Sequence, residues 1–120
     1  MKYLLVTALI GFPALSNNLT IQCAEYGADP YTYGATVTDT LLTYNENHNG
    51  NVTKGTSKVI SIEQKPNYVK FVTEEEGYNS VSKSVYELKG KVLTMNTVST
   101  QNGEVIFSGG GQMSNACVVF

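Results

Sequence analysis

Arginine is absent from this 120-residue sequence, histidine occurs once, cysteine twice and proline three times. Arginine is the side chain that clamps phosphate and carboxylate groups through two parallel hydrogen bonds. Without it, any phosphate chemistry falls to lysines and backbone amides. Basic excess is lacking too: eight lysines against ten acids leave a formal net charge of −2. Strong nonspecific nucleic-acid binding draws on neutralised phosphates and shows the opposite balance. The lone histidine, His48, and scattered carboxylates offer no metal-ligand spacing. No metal and no other cofactor is expected. No apolar run reaches the roughly 20 residues of a membrane-spanning helix, so no membrane partner is expected either.

What is present begins with MKYLLVTALIGFPALS. A lone Lys2, an apolar stretch over residues 3–12, the helix breaker Pro13 and small residues at Ala14 and Ser16 read as a secretory signal at 1–16. Removal after Ser16 leaves 120 − 16 = 104 residues, enough for one domain, 17–120, with one modest core. A secreted location follows as the expectation. In an oxidising compartment Cys23 and Cys117 are read as a disulfide. Closing so long a loop stabilises a fold by roughly 4 to 5 kcal/mol in the chain-entropy model. The competing reading, a reactive thiol, lacks a basic neighbour in sequence to hold a thiolate. Two sequons, Asn18-Leu19-Thr20 and Asn51-Val52-Thr53, make Asn18 and Asn51 candidate glycosylation sites.

Along the mature chain, LTIQC alternates Leu19, Ile21 and Cys23 on one face, a first strand. AEYGADPYTYG, with Gly27, Pro30 and Gly34, reads as a loop with exposed tyrosines. In ATVTDTLLTYNEN the spacing of Tyr33, Val37, Leu41 and Tyr44 predicts a helix, since strict alternation would place Asp39 beside Val37 and Leu41. Its four threonines lower that propensity, and Gly50 ends it in NENHNGN. Strand patterns follow in SKVISIEQ, NYVKFVTE, SVSKSVYEL, GKVLTMNTVST and GEVIFS, with a final strand in ACVVF. Asn102-Gly103 between two such runs is a strong hairpin signal, because a type I′ turn needs positive φ at both positions. The acidic EEEGYN reads as a solvated loop. No repeat and no low-complexity linker interrupts the chain. The expected class is α+β, one α-helix packed on an antiparallel β-sheet and closed by one disulfide.

This order resembles the small fungal ribonucleases of the T1 and F1 type. It is closer still to the ribonuclease-like secreted effectors of powdery mildew fungi, which often begin with an aromatic-x-Cys motif and end in a cysteine paired to it. The likeness covers nearly the whole mature chain, ending NGEVIFSGGGQMSNACVVF, though the start reads Ile21-Gln22-Cys23 without the aromatic residue. It implies a ribonuclease T1-like fold. It also implies a virulence effector of a fungal plant pathogen, delivered into host cells, that binds a host plant protein and is open to recognition by a plant immune receptor. RNA would be a weaker second partner.

The family's chemistry does not carry over with the likeness. Of its glutamate base, acid histidine and arginine, only Glu87 in SVYELKG has a counterpart, and no histidine stands between Phe107 and Cys117. Attack by a 2′-hydroxyl needs a base, an acid for the leaving oxygen and a charge clamp. One glutamate cannot be all three, so the resemblance implies an inactive pseudo-ribonuclease with Glu87 as a vestige. The three glycines at 109–111 become a corner leading to Cys117, since glycine-rich phosphate loops open a helix and here a strand follows. Binding would then use loop ends: Tyr31 and Tyr33, the 45–51 segment with His48, and Glu74, Glu75, Glu76 and Tyr78. Two alternatives stay open. A weak ribonuclease requires Glu87 and His48 to converge on one scissile group, and a secreted inhibitor or binding module unrelated to ribonucleases is favoured if the chain is all-β with 36–44 as strand.

Overall fold

In a computed structural model that describes residues 18–120, the chain is all-β. The signal expected at 1–16 lies outside the described residues. Nine strands follow in chain order: β1 (Leu19–Glu25), β2 (Tyr31–Val37), β3 (Leu41–His48), β4 (Asn51–Lys65), β5 (Tyr68–Gly77), β6 (Ser80–Lys89), β7 (Val92–Gln101), β8 (Glu104–Ser114) and β9 (Cys117–Val119). They form one antiparallel sheet in the order β8-β7-β6-β5-β4-β3-β2-β1-β9. The α+β, ribonuclease T1-like expectation is overturned, because no helix occurs among the described residues.

The expected helix is two strands and a turn. Tyr33, Ala35 and Val37 point inward at a period of two, the turn at 38–40 resets the parity, and Leu42 points inward after it. Leu41, which the helical reading placed on the apolar face, is 43% exposed while Leu42 is 0% exposed. Asp39 falls in the turn, where no face constrains it. Thr38 holds that turn: its Oγ1 accepts hydrogen bonds from the N–H groups of Thr40 (3.2 Å) and Leu41 (3.0 Å). Two period-2 stretches offset by a turn imitate a helical period over the same residues.

Other expected loops are also strand. Tyr31 and Tyr33 belong to β2, and Glu74, Glu75 and Glu76 to β5. The acidic run stays paired because Glu74 stands between Lys58 on β4 and Lys83 on β6. Opposite charges directly across a sheet favour pairing. The Asn-rich segment is the β3–β4 hairpin, whose Asn49 and Gly50 have φ of 54° and 93°. Asn102 and Gly103 form the expected hairpin turn, with φ of 53° and 82°.

The glycines 109–111 make no corner; they lie within β8. A Cβ at Gly110 would run into the backbone carbonyl of Met95 on β7, so the close approach of the two strands requires glycine there.

β8 and β9 stand at opposite ends of the strand order, yet they are consecutive in the chain. The Cys117 N–H donates to Lys91 O just before β7 (3.0 Å), while Ala24 N–H donates to Ala116 O (3.1 Å). The C-terminal segment therefore runs from the end of β8 to the opposite end of the sheet and holds β1 and β9 against the β6–β7 turn. In the core lie Ile21, Val37, Leu42, Phe71, Tyr86 and Leu93, with Phe71 and Tyr86 stacked at 4.5 Å. The expected disulfide is present: Cys23 and Cys117 face each other across β1 and β9, both buried and 94 residues apart in sequence. β4 carries a bulge between Val59 and Ser61 and changes partner along its length, from β3 over its first half to β5 over its second.

Candidate binding site

The strands β9, β1, β2, β3 and β4 lie side by side, and their outward side chains, with Cys23, Tyr33, Ala35 and Tyr44 of the inward rows between them, line a shallow, open hollow of about 1350 Å³. Register sets its floor. One row across the sheet is Thr20, Thr36, Thr43 and Thr56; the next is Gln22, Gly34, Asn45 and Lys54. Neighbouring strands lie about 4.8 Å apart, so each row presents side-chain hydroxyls and amides at nearly regular intervals. Gly34 interrupts the second row without a side chain, and a Cβ built there would meet nothing within 4 Å. The centre of the hollow is open because that residue is glycine. Tyr26, 86% exposed, stands at the rim. Among the described residues, Lys54 is the only charged side chain lining the hollow.

A smaller cleft of about 290 Å³ lies beside Met113 and contains Glu25, Asp29, Tyr31, Glu46 and His48. Tyr31 donates its phenol proton to Glu46 Oε2 (2.6 Å), and its ring meets that of His48 edge-on at 5.8 Å. Burial, with Glu46 beside it, pushes the Tyr31 phenol well above its ordinary range. His48 Nε2 lies 3.1 Å from Asp29 Oδ2, an exposed pair. Each acid is thus already engaged or solvated, and no group of three or more ligating side chains among the described residues could hold a metal ion.

Of the expected partner-binding residues, the structure brings together only Tyr31 and His48 in this cleft. Tyr33 is not a surface residue: it is 3% exposed and stacks on Tyr44 in the core. The alternation of β2 turns it inward. Its hydroxyl has no hydrogen-bond partner, and burial pushes its pKa far up. Glu75 accepts a hydrogen bond from Ser57 Oγ (2.7 Å), and Tyr78 is exposed at the β5–β6 turn. Glu87, on β6, accepts from the Tyr68 hydroxyl (2.7 Å), which raises the Tyr68 pKa to about 12. β6 and β3 are three strand intervals apart, roughly 14 Å along the sheet, so Glu87 and His48 do not converge. Asn18 and Asn51 are both exposed, as a sequon acceptor needs to be.

Sequence reasoning missed the hollow. The signal that could have found it is the polar half of each alternation: threonine, asparagine or glutamine at outward positions of four successive strands. Compared with protein-family models, curated proteins and solved structures, the chain matches none.

Proposed function

We propose that this chain is a secreted binding module, unrelated to ribonucleases, that takes a neutral, hydroxyl-rich ligand such as an oligosaccharide in the β1–β4 hollow. The observation that carries this reading is the composition of that surface: threonine, asparagine and glutamine around an open glycine, apolar contacts from Val52 and Val118 beside them, and Lys54 as the charge among the described residues. Hydroxyl and amide side chains both donate and accept hydrogen bonds, the pairing that a sugar's hydroxyls ask for. Among the described residues, a polyanion would find one lysine there and a cationic partner no carboxylate. The rim tyrosine adds an amphipathic ring of the kind enriched at binding surfaces. Support for secretion is the N-terminal sequence together with the disulfide, whose chemistry suits an oxidising compartment. With the ribonuclease scaffold overturned, the host-protein role that rested on it has no structural support of its own.

The test fills the hollow. Gly34 has ordinary φ and free space at its Cβ, so Gly34→Val is expected to hold or raise stability by roughly 0.5–1 kcal/mol and to abolish binding. Titration calorimetry of the disulfide-intact mature protein against a panel of neutral and charged oligosaccharides gives the readout. Neutral ligands bound by the wild type and lost in Gly34→Val support the reading. Binding that survives in Gly34→Val, or a panel in which only polyanions or proteins bind, overturns it.

A further inference from the structure

Among the described residues β8 is an edge strand, hydrogen-bonded on one side only, to β7. Natural sheets blunt such edges with lysine, proline or a covering element. Here residues 105–114, VIFSGGGQMS, contain no charge and no proline, and Val105, Ile106 and Phe107 are 63%, 57% and 55% exposed. Bulges do bend the strand, at Ile106 and at Met113, but the register between them is unbroken from Phe107 opposite Ser99 to Gln112 opposite Thr94. Six consecutive residues therefore keep one register, with Gly110 and Gly111 at φ of 153° and 157°, along an edge that no other strand covers among the described residues.

We infer that this edge pairs with the same edge of a second copy of the chain, antiparallel about a two-fold axis at Gly109. Side chains directly opposite in such a pair share a face, so Phe107 of one copy faces Gly111 of the other, where a Cβ would meet nothing within 4 Å. Within one copy the Phe107 ring already lies over Gly109, 3.1 Å from a Cβ placed there. Across the axis the two Gly109 residues meet, and both rings settle over side-chain-free backbone. Charge selects the same arrangement. Antiparallel pairing sets the two Glu104 carboxylates at opposite ends of the paired segment, whereas parallel pairing would put like charges side by side.

A peptide from another protein would find the same backbone groups. Strand-addition sites choose their peptides by pockets for alternate side chains, and the glycine run offers none. A second Phe107 is the complement that the edge itself supplies.

Five paired residues a side cover roughly 300 Å² per copy, against about 800 Å² for a standard interface. The dimer is accordingly weak, with a dissociation constant on the order of 10⁻⁴ M. Sedimentation velocity of the disulfide-intact protein from about 10 μM to about 1 mM, with hydrogen exchange at each concentration, tests it. The expected result is a shift toward dimer with slowed exchange confined to β8. Phe107→Lys and, separately, Ser108→Lys should stay monomeric throughout while melting at the wild-type temperature. A wild type that stays monomeric over the whole range overturns the inference. So do association that persists in both lysine variants and growth past the dimer into fibrils.

Discussion

Among the described residues, a single buried side-chain hydroxyl stands without a hydrogen-bond partner. Tyr33 Oη is buried with no hydrogen-bond partner, and a polar group left unpaired in the interior forfeits the hydrogen bonds that water gave it. The ring itself stacks on Tyr44 and fills the core beside Cys23. Removing only the oxygen keeps that packing. Tyr33→Phe is therefore expected to raise stability by about 1 kcal/mol, seen as a higher urea midpoint with an unchanged slope. A loss of stability would mean that the hydroxyl has a partner in solution. In the sequence Tyr33 looked like a loop tyrosine because Pro30 and Gly34 bracket it. Gly34 proves to be a strand residue on the outer face, and its neighbour is turned into the core.

At the scale of elements, what could be read in the sequence depended on whether local chemistry was enough. Asn102-Gly103 needs only its own backbone to make a turn, and it does. The strand patterns of NYVKFVTE, SVSKSVYEL and GKVLTMNTVST also lie in β5, β6 and β7, although the end of β5 at 75–77 read as loop and the residues that β6 buries are Tyr86 and Leu88. The pairing of Cys23 with Cys117, the only pairing two cysteines allow, was readable too. β2 and β3 were not, because the parity reset at 38–40 merges two alternations into a helical spacing. The decisive local feature is the hydroxyl of Thr38, which captures two backbone N–H groups that a helix would have pointed at carbonyls. Thr38→Ala removes both bonds at an exposed turn. We expect it to cost about 1 kcal/mol without altering the register, measurable as a lower urea midpoint with β3 amides still protected from exchange. The hollow was hidden for a different reason: its floor exists only once four strands are laid in register. No stretch of consecutive residues contains it.

For the whole molecule, the tyrosines set an alkaline limit. Tyr86 stacks on Phe71 in the core, and burial, first among the causes, lifts its pKa from 10.0 to about 12. Burial lifts Tyr31 and Tyr33 further in the same direction. A group whose pKa is raised by folding binds its proton more tightly in the folded state, so its contribution to stability is whole below the unfolded value and declines above it. Stability should be level with respect to these groups up to about pH 10 and fall as the pH rises through 12. Tyr68 gains its shift from Glu87 at the surface, where solvent screening leaves little for stability. Melting temperature and tyrosinate absorbance, followed together up the pH scale, separate the two kinds. Surface phenols should ionise in the folded protein, and the buried ones only as it unfolds. Because the disulfide joins the first strand to the last, alkaline unfolding with that bond intact still leaves a closed loop. The fall should thus be reversible on return to neutral pH, and buried phenols that ionise smoothly below the unfolding transition would show a core far looser than the stacked rings imply.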